Sequence, residues 1–179
     1  MIQISEISTK RPTHYLSSLQ EQTYTVLETL AILWQRVQTS EVITMEDCLH
    51  IDEKLQMKMV KTLFLCNRQK TTFYLYITLG NKAFNSKVFS DMLNISRVSF
   101  APPESLYEKM KTKIGAATIF GLLEDSANDI QLIFDQQVLE MQFYGCSDGT
   151  TTNYLKLNME DVITKLLPYL KRELISIKL

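Results

Sequence analysis

The sequence predicts a single α+β domain, and three observations carry that prediction. The chain has 179 residues, the length of one ordinary domain, enough to bury a core without disulfide or metal staples. Two apolar and aromatic runs, Met59–Cys66 and Thr72–Leu79, flank the polar stretch Asn67–Lys70 and read as a hairpin. Around them, helix-type segments are mixed with many short strands, with no internal repeat, low-complexity tract or linker.

Residues 1–13 read as a loose arm and 14–179 as the domain. Tyr15, Leu19, Tyr24, Leu27 and Leu30 have helical spacing, which predicts a helix from about Leu16 to Leu30 and then a strand over Trp34–Gln38. Thr44 stands three residues before Asp47, as an N-cap before an acidic first turn, and opens a helix over Met45–Leu55. After the hairpin come a helix over Ser86–Leu93, a strand over Arg97–Phe100, and a helix started by Pro102 and Pro103 that runs to about Lys111. Strands are predicted at Phe120–Leu123, Ile130–Phe134, Met141–Tyr144 and Tyr154–Leu157, with "GCSDGTTTN" as a polar loop. Asn158 caps a helix over Met159–Leu167 that Pro168 stops, and Leu174–Ile177 closes the chain as a strand.

Composition narrows the function. The formal net charge is -1, so any nucleic acid or membrane must be met by a local patch. Three widely spaced cysteines fit a reducing compartment better than a disulfide framework. No apolar run approaches the roughly 18 residues of a membrane helix, and the N-terminus lacks an apolar signal core. The expectation is a cytoplasmic protein without a membrane partner.

Cys48 and His50 are two apart on a helix and point to different faces, so they make poor co-ligands for a metal, and no metal site is expected. His14 reads as a solvated residue of the arm. There is no HExxH, CxxC or GxSxG, and Gly115 and Gly121 do not have a phosphate-loop spacing. Lys109, Lys111 and Lys113 form a basic cluster, read either as a solvated helix end or as a phosphate contact. Thr150, Thr151 and Thr152 are strand-entry residues that also offer adjacent hydroxyls. Lys61 at the mouth of a strand is either a rim charge or a cation aimed into a pocket.

Four segments in order, "KTLFLCNRQKTTFYL", "SRVSFAPPESLYEKM", "GAATIFGLLED" and "YLKLNMEDVITKLLPYL", resemble the YbaK/prolyl-tRNA synthetase-associated domain family, its prolyl-tRNA deacylase branch most of all. The resemblance covers roughly Leu27 to Leu170. It implies a curled, mixed, barrel-like β-sheet core with helices around it. It also implies hydrolysis in trans of the ester of mischarged tRNA, alanyl- or cysteinyl-tRNA(Pro) being the usual substrates, with no cofactor. The partners implied are the aminoacylated tRNA end and, further off, prolyl-tRNA synthetase.

Carried over residue by residue, Lys61 matches the family's catalytic lysine, with Thr62 where many members have asparagine. Gly115, Ala116, Ala117, Thr118 and Gly121 match its glycine loop, with Ile119 in place of a proline. The family's His-Pro-x-x-Asn-Thr falls on Ser147-Asp148-Gly149-Thr150-Thr151-Thr152, where only Thr152 is kept. Ser147, Asp148, Thr151 and Thr152 are expected to line the amino-acid end. Ser147 cannot carry an imidazole's charge. Two alternatives therefore stay open: a binding module without hydrolysis, and a hydrolase with an altered substrate.

Overall fold

The computed structural model describes residues 1–42 and 44–179. A three-stranded antiparallel sheet has the order β1-β7-β6, with β1 at Trp34–Gln38, β6 at Phe143–Ser147 and β7 at Asn153–Asn158. A five-stranded mixed sheet has the order β4-β2-β3-β5-β8. Its strands are β2 (Val60–Asn67), β3 (Phe73–Leu79), β4 (Val98–Phe100), β5 (Ile130–Asp135) and β8 (Ile175–Ile177). β2, β3 and β4 pair antiparallel, whereas β3, β5 and β8 run parallel. The parallel bridge Met59↔Gly145 joins the two sheets. The curl is therefore open: two sheets lean together and do not close into a barrel.

The alternation along β2 shows which side faces what. Val60, Phe64 and Cys66 enter the main core with Tyr144, Leu155 and Phe120. Leu63 and Leu65 belong instead to a second cluster, with Tyr74, Tyr76 and Phe89. The aromatic content of β2 and β3 thus serves two layers at once, which is why these strands read as continuous apolar runs.

The helices follow local signals closely. Ser17 accepts from Gln20 N and caps α1 (Ser18–Thr29). Thr44 and Asp47 form a reciprocal capping box at α2 (Met45–Leu55). Asn85 caps α3 (Ser86–Leu93), and Pro103 begins α4 (Pro103–Met110). Asp135 caps the short α5 (Gln136–Leu139).

Four expectations need correction. Residues 1–13 are not loose: Ser5 N donates to Gln38 O at 2.8 Å, and Ser8 and Arg36 exchange both backbone bonds, so the arm pairs along the edge of β1. Ile119–Leu123 is a 3-10 helix rather than a strand; four of its five residues are buried, and a short run buried all round has no periodicity to identify it. Strand β6 starts at Phe143, later than expected, and takes in Gly145–Ser147, expected as loop. Pro168 does not stop the last helix. α6 (Met159–Asp161) runs through a π-helical turn, Val162–Leu166, into α7 (Leu167–Tyr169), where Pro168 stands at the first turn. The last turn thus keeps a helical conformation although proline offers no N–H. Among the described residues no helix is long and apolar enough to cross a membrane.

Candidate functional site

The glycine loop follows α4. Lys111 ends that helix in a left-handed conformation, φ 56°. Gly115 has φ +89°, a conformation that costs a side chain strain but costs glycine nothing. Thr112, which sequence reasoning passed over, ties the loop internally and externally: its hydroxyl lies 3.3 Å from Ala116 O and 3.2 Å from Gly149 O. Thr118 donates to Ser147 O at 2.8 Å. Ala116 is buried and Ala117 half-buried. Gly121 has a different task. An added Cβ would meet Met110 Cβ at 2.8 Å, so this glycine lets the 3-10 helix pack on α4. The structure thus brings Gly115–Thr118 and Ser147–Thr152 together.

Within the second segment the side chains divide. Ser147 is buried; its hydroxyl donates to Thr150 O and accepts from Gly149 N at 3.0 Å. Asp148 is fully buried and faces α1, not the cleft. Its carboxylate accepts from Gln20 Nε2 at 2.9 Å, Tyr24 OH at 2.7 Å and Thr150 Oγ1 at 2.7 Å. Burial raises its pKa above the usual carboxylate range, against the pull of these hydrogen bonds. Gln20 and Tyr24 are one helical turn apart, and only a polar pair on the buried face of α1 signals their role. Thr151 and Thr152 are half-buried, with Thr151 Oγ1 3.5 Å from Glu41 Oε1.

A cleft of about 290 Å³ opens beside this assembly. It is lined by Leu16 and Ser17, by Tyr107, Lys111, Thr112 and Lys113, and by Gly149–Thr151. The basic cluster does not act as a unit here. Lys109 bonds both oxygens of Asp129, at 2.9 and 2.7 Å, and covers the Phe73 ring. Lys111 and Lys113 remain on the cleft, Lys113 with Glu41 at 3.6 Å.

Lys61 lies elsewhere on the same curl. It pairs with Thr78 across β2 and β3 and shares the face of Leu63, outside the main core. Its ammonium donates to Lys82 O. Lys82 in turn bonds Asp135 Oδ2 at 2.7 Å and Gln137 Oε1 at 2.7 Å, while Thr78 donates to the same carboxylate at 2.8 Å. Burial alone would raise the pKa of Asp135, but the bonds from Lys82, Gln137 N and Thr78 outweigh it and hold the pKa low. Lys82 and Asp135 escaped sequence reasoning; the acid ending the buried strand "IQLIFD" was the available signal.

The position of Lys61 also depends on a fork. β2 meets β6 at Met59↔Gly145 and meets β4 only from Leu65 onward. Between these points, at Lys61–Leu63, the edge of β2 away from β3 has no strand partner among the described residues. Lys61 and Ser147 each stand two residues past the parallel bridge. No side-chain bond joins Lys61 to the glycine loop or to Ser147–Thr152 among the described residues. Thr62, on the alternate face, points to the main core side and is half-buried.

An open curl of two sheets, with a glycine loop tied to the end of β6, is the frame of an aminoacyl-tRNA editing domain. The chain belongs to that family, whose pattern matches residues 39–165. Prolyl-tRNA editing protein ProX of Acetoanaerobium sticklandii is 24% identical over 136 residues, which are 76% of this chain and 83% of that protein. The prolyl-tRNA synthetase associated domain-containing protein 1 of Xenopus laevis is 30% identical over 121 residues, covering 66% of this chain and 71% of the relative. A crystal structure described as a candidate trans-editing enzyme for prolyl tRNA synthetase has the same fold, with a TM-score of 0.65 at 15% identity, over 92% of this chain and 99% of that one.

Proposed function

We propose that this protein acts in trans on mischarged tRNA, alanyl- or cysteinyl-tRNA(Pro) foremost, and releases the amino acid from its 3′ end in the cytoplasm. The observation that carries this reading is the junction of the two loops. Thr118 and Thr112 lock Gly115–Thr118 onto Ser147–Thr152 beside a cleft with lysines on its wall, within a chain matched by the editing family over residues 39–165.

Water attacks the ester carbonyl, the carbonyl carbon–ribose oxygen bond breaks, and the ribose oxygen takes the proton. In this reading the terminal ribose hydroxyl assists the attacking water. Backbone groups of the Gly115 loop, with Thr62, Thr151 and Thr152, hold the aminoacyl end. Lys61 supplies positive charge to the phosphate or to the oxygen that gains charge in the transition state. For that, its ammonium must exchange the Lys82 carbonyl for substrate at the fork beside β6. Lys111 and Lys113 meet phosphates. Prolyl-tRNA synthetase is a second partner in this reading, as the source of the mischarged tRNA. No cofactor takes part.

One observation favours a second reading, a binding module without hydrolysis. Ser147 stands where the family has histidine and spends its hydroxyl on Thr150 O, and Asp148 is turned into the fold. A panel of alanyl-, cysteinyl- and seryl-tRNA, scored separately for binding and for ester loss, divides the readings. The hydrolase accelerates ester loss above buffer; the binding module retains the charged tRNA and leaves the ester intact.

A further inference from the structure

The wall of the cleft carries a side chain that none of these assignments uses. Tyr107 on α4 is 65% exposed, one turn before Lys111. An exposed tyrosine by itself is ordinary. This one lines the cleft formed with Gly149–Thr151, and Lys111 Nζ lies 5.8 Å from its ring centroid. The Lys111 ammonium bonds only the Glu108 carbonyl, at 3.0 Å, and has no carboxylate partner among the described residues. Leu16, on the same cleft, is 70% exposed.

A flat aromatic face, an uncompensated cation one helical turn away and a second cation on the same wall match one kind of ligand. An unpaired nucleobase offers a π-face for stacking, and the phosphates beside it meet the cations. An apolar peptide would leave the Lys111 ammonium without an anionic partner. Tyr107 is exposed on the wall of the cleft, so a base can meet its ring without entering.

We propose that Tyr107 is the stacking platform for the unpaired terminal nucleobase of an RNA acceptor end, with Lys111 and Lys113 on its phosphates. The proposal rests on the editing reading for the identity of the RNA, and it adds the side chain that holds the base.

The test uses the full chain and an uncharged RNA minihelix with a four-nucleotide single-stranded 3′ end, together with the same RNA lacking its terminal nucleotide. Affinities are read by fluorescence anisotropy for the wild type and for Tyr107→Ala, Tyr107→Phe and Tyr107→Trp. The exposure of Tyr107 keeps these variants folded, which melting curves verify. Tyr107→Ala is expected to bind the complete RNA about 5- to 150-fold more weakly, as for loss of one stacked base. Tyr107→Phe and Tyr107→Trp stay within about two-fold of wild type, because stacking needs the ring and not the hydroxyl. The truncated RNA binds wild type as weakly as the complete RNA binds Tyr107→Ala. Lys111→Gln lowers the slope of log affinity against log salt by about 0.7 for a single-strand contact.

Unchanged affinity in Tyr107→Ala, an equal loss in Tyr107→Phe, or the same loss on both RNAs overturns the platform. So does a wild type that binds neither RNA. Charged minihelix distinguishes the underlying reading: if it binds through Tyr107 but loses its ester no faster than in buffer, hydrolysis is refuted and the platform stands.

Discussion

Two buried aspartates, Asp135 and Asp148, make opposite use of the same side chain. Each is 0% exposed. Asp135 has an ammonium at 2.7 Å, from Lys82, and its pKa is lowered. Asp148 has only neutral donors, from Gln20, Tyr24 and Thr150, and its pKa is raised. A buried carboxylate is ionised cheaply only beside a counter-charge. The pair at Asp135 therefore anchors Lys82, whose carbonyl accepts from Lys61, whereas Asp148 is a fastener between α1 and the turn after β6. Ion pairing is concentrated at Lys82 and Asp135, and the Ser147–Thr152 turn is tied to the fold by neutral hydrogen bonds.

The sharpest break in this comparison is removal of Asp135. Asp135→Asn leaves the Lys82 ammonium without its counter-charge. The loss of stability should be about 2–4 kcal/mol, somewhat below that of a fully enclosed pair because Lys82 still reaches water. Urea unfolding at neutral pH measures it. Asp148→Ala comes next, at about 2–3 kcal/mol, because it strands the buried donors of Gln20, Tyr24 and Thr150. A melting temperature equal to wild type would remove Asp148 from its place as fastener.

Asp148→Asn sharpens the contrast through pH. The native pKa of Asp148 lies above the unfolded value of about 3.9. Its contribution is therefore fully present below the unfolded pKa and is lost as pH rises through the native one. Asp135 has the opposite sign: its contribution is present above about pH 3.9 and is lost as pH falls through its lowered native pKa. In Asp148→Asn, the fall of stability with rising pH just above pH 4 should flatten, with a cost at low pH under about 1 kcal/mol. Unfolding free energies measured from pH 3 to pH 7 for both asparagine variants decide this. Similar profiles for the two would end the distinction.

The smallest effect concerns the lysines. Lys109 is held by Asp129 and Phe73, so Lys109→Gln should leave the salt dependence of RNA binding unchanged, whereas Lys113→Gln lowers the slope by up to about 0.7. Titrations at four salt concentrations separate them.

Local signals made most of the fold legible. The Thr44–Asp47 box, Pro103 and the hairpin around Asn67–Lys70 specify themselves within a few residues of chain. What escaped depends on contacts distant in sequence. The arm is ordered by β1, roughly 30 residues on, and the 3-10 helix at Ile119 is fixed by Thr118 and by close packing on Met110. The two candidate loops were legible as segments, but their meeting through Thr112 and Thr118 was not. It was not legible that Asp148 turns away from the cleft, because a Ser-Asp-Gly turn gives no sign of which way its carboxylate points. Nor could local sequence bring Lys82 and Asp135 to Lys61, since 53 residues separate that ion pair.

The central claim is that this chain hydrolyses mischarged tRNA with Lys61 as its charged group. The most direct measurement is the time course of ester loss from alanyl-tRNA(Pro) with wild type and with Lys61→Ala, each checked for its melting curve. The account predicts ester loss well above buffer for wild type and near buffer for Lys61→Ala. The variant should melt close to wild type, since a half-exposed lysine bonded to one carbonyl contributes about 1 kcal/mol or less. Equal rates for the two folded proteins would contradict the role of Lys61, and no rate above buffer for wild type would contradict hydrolysis itself.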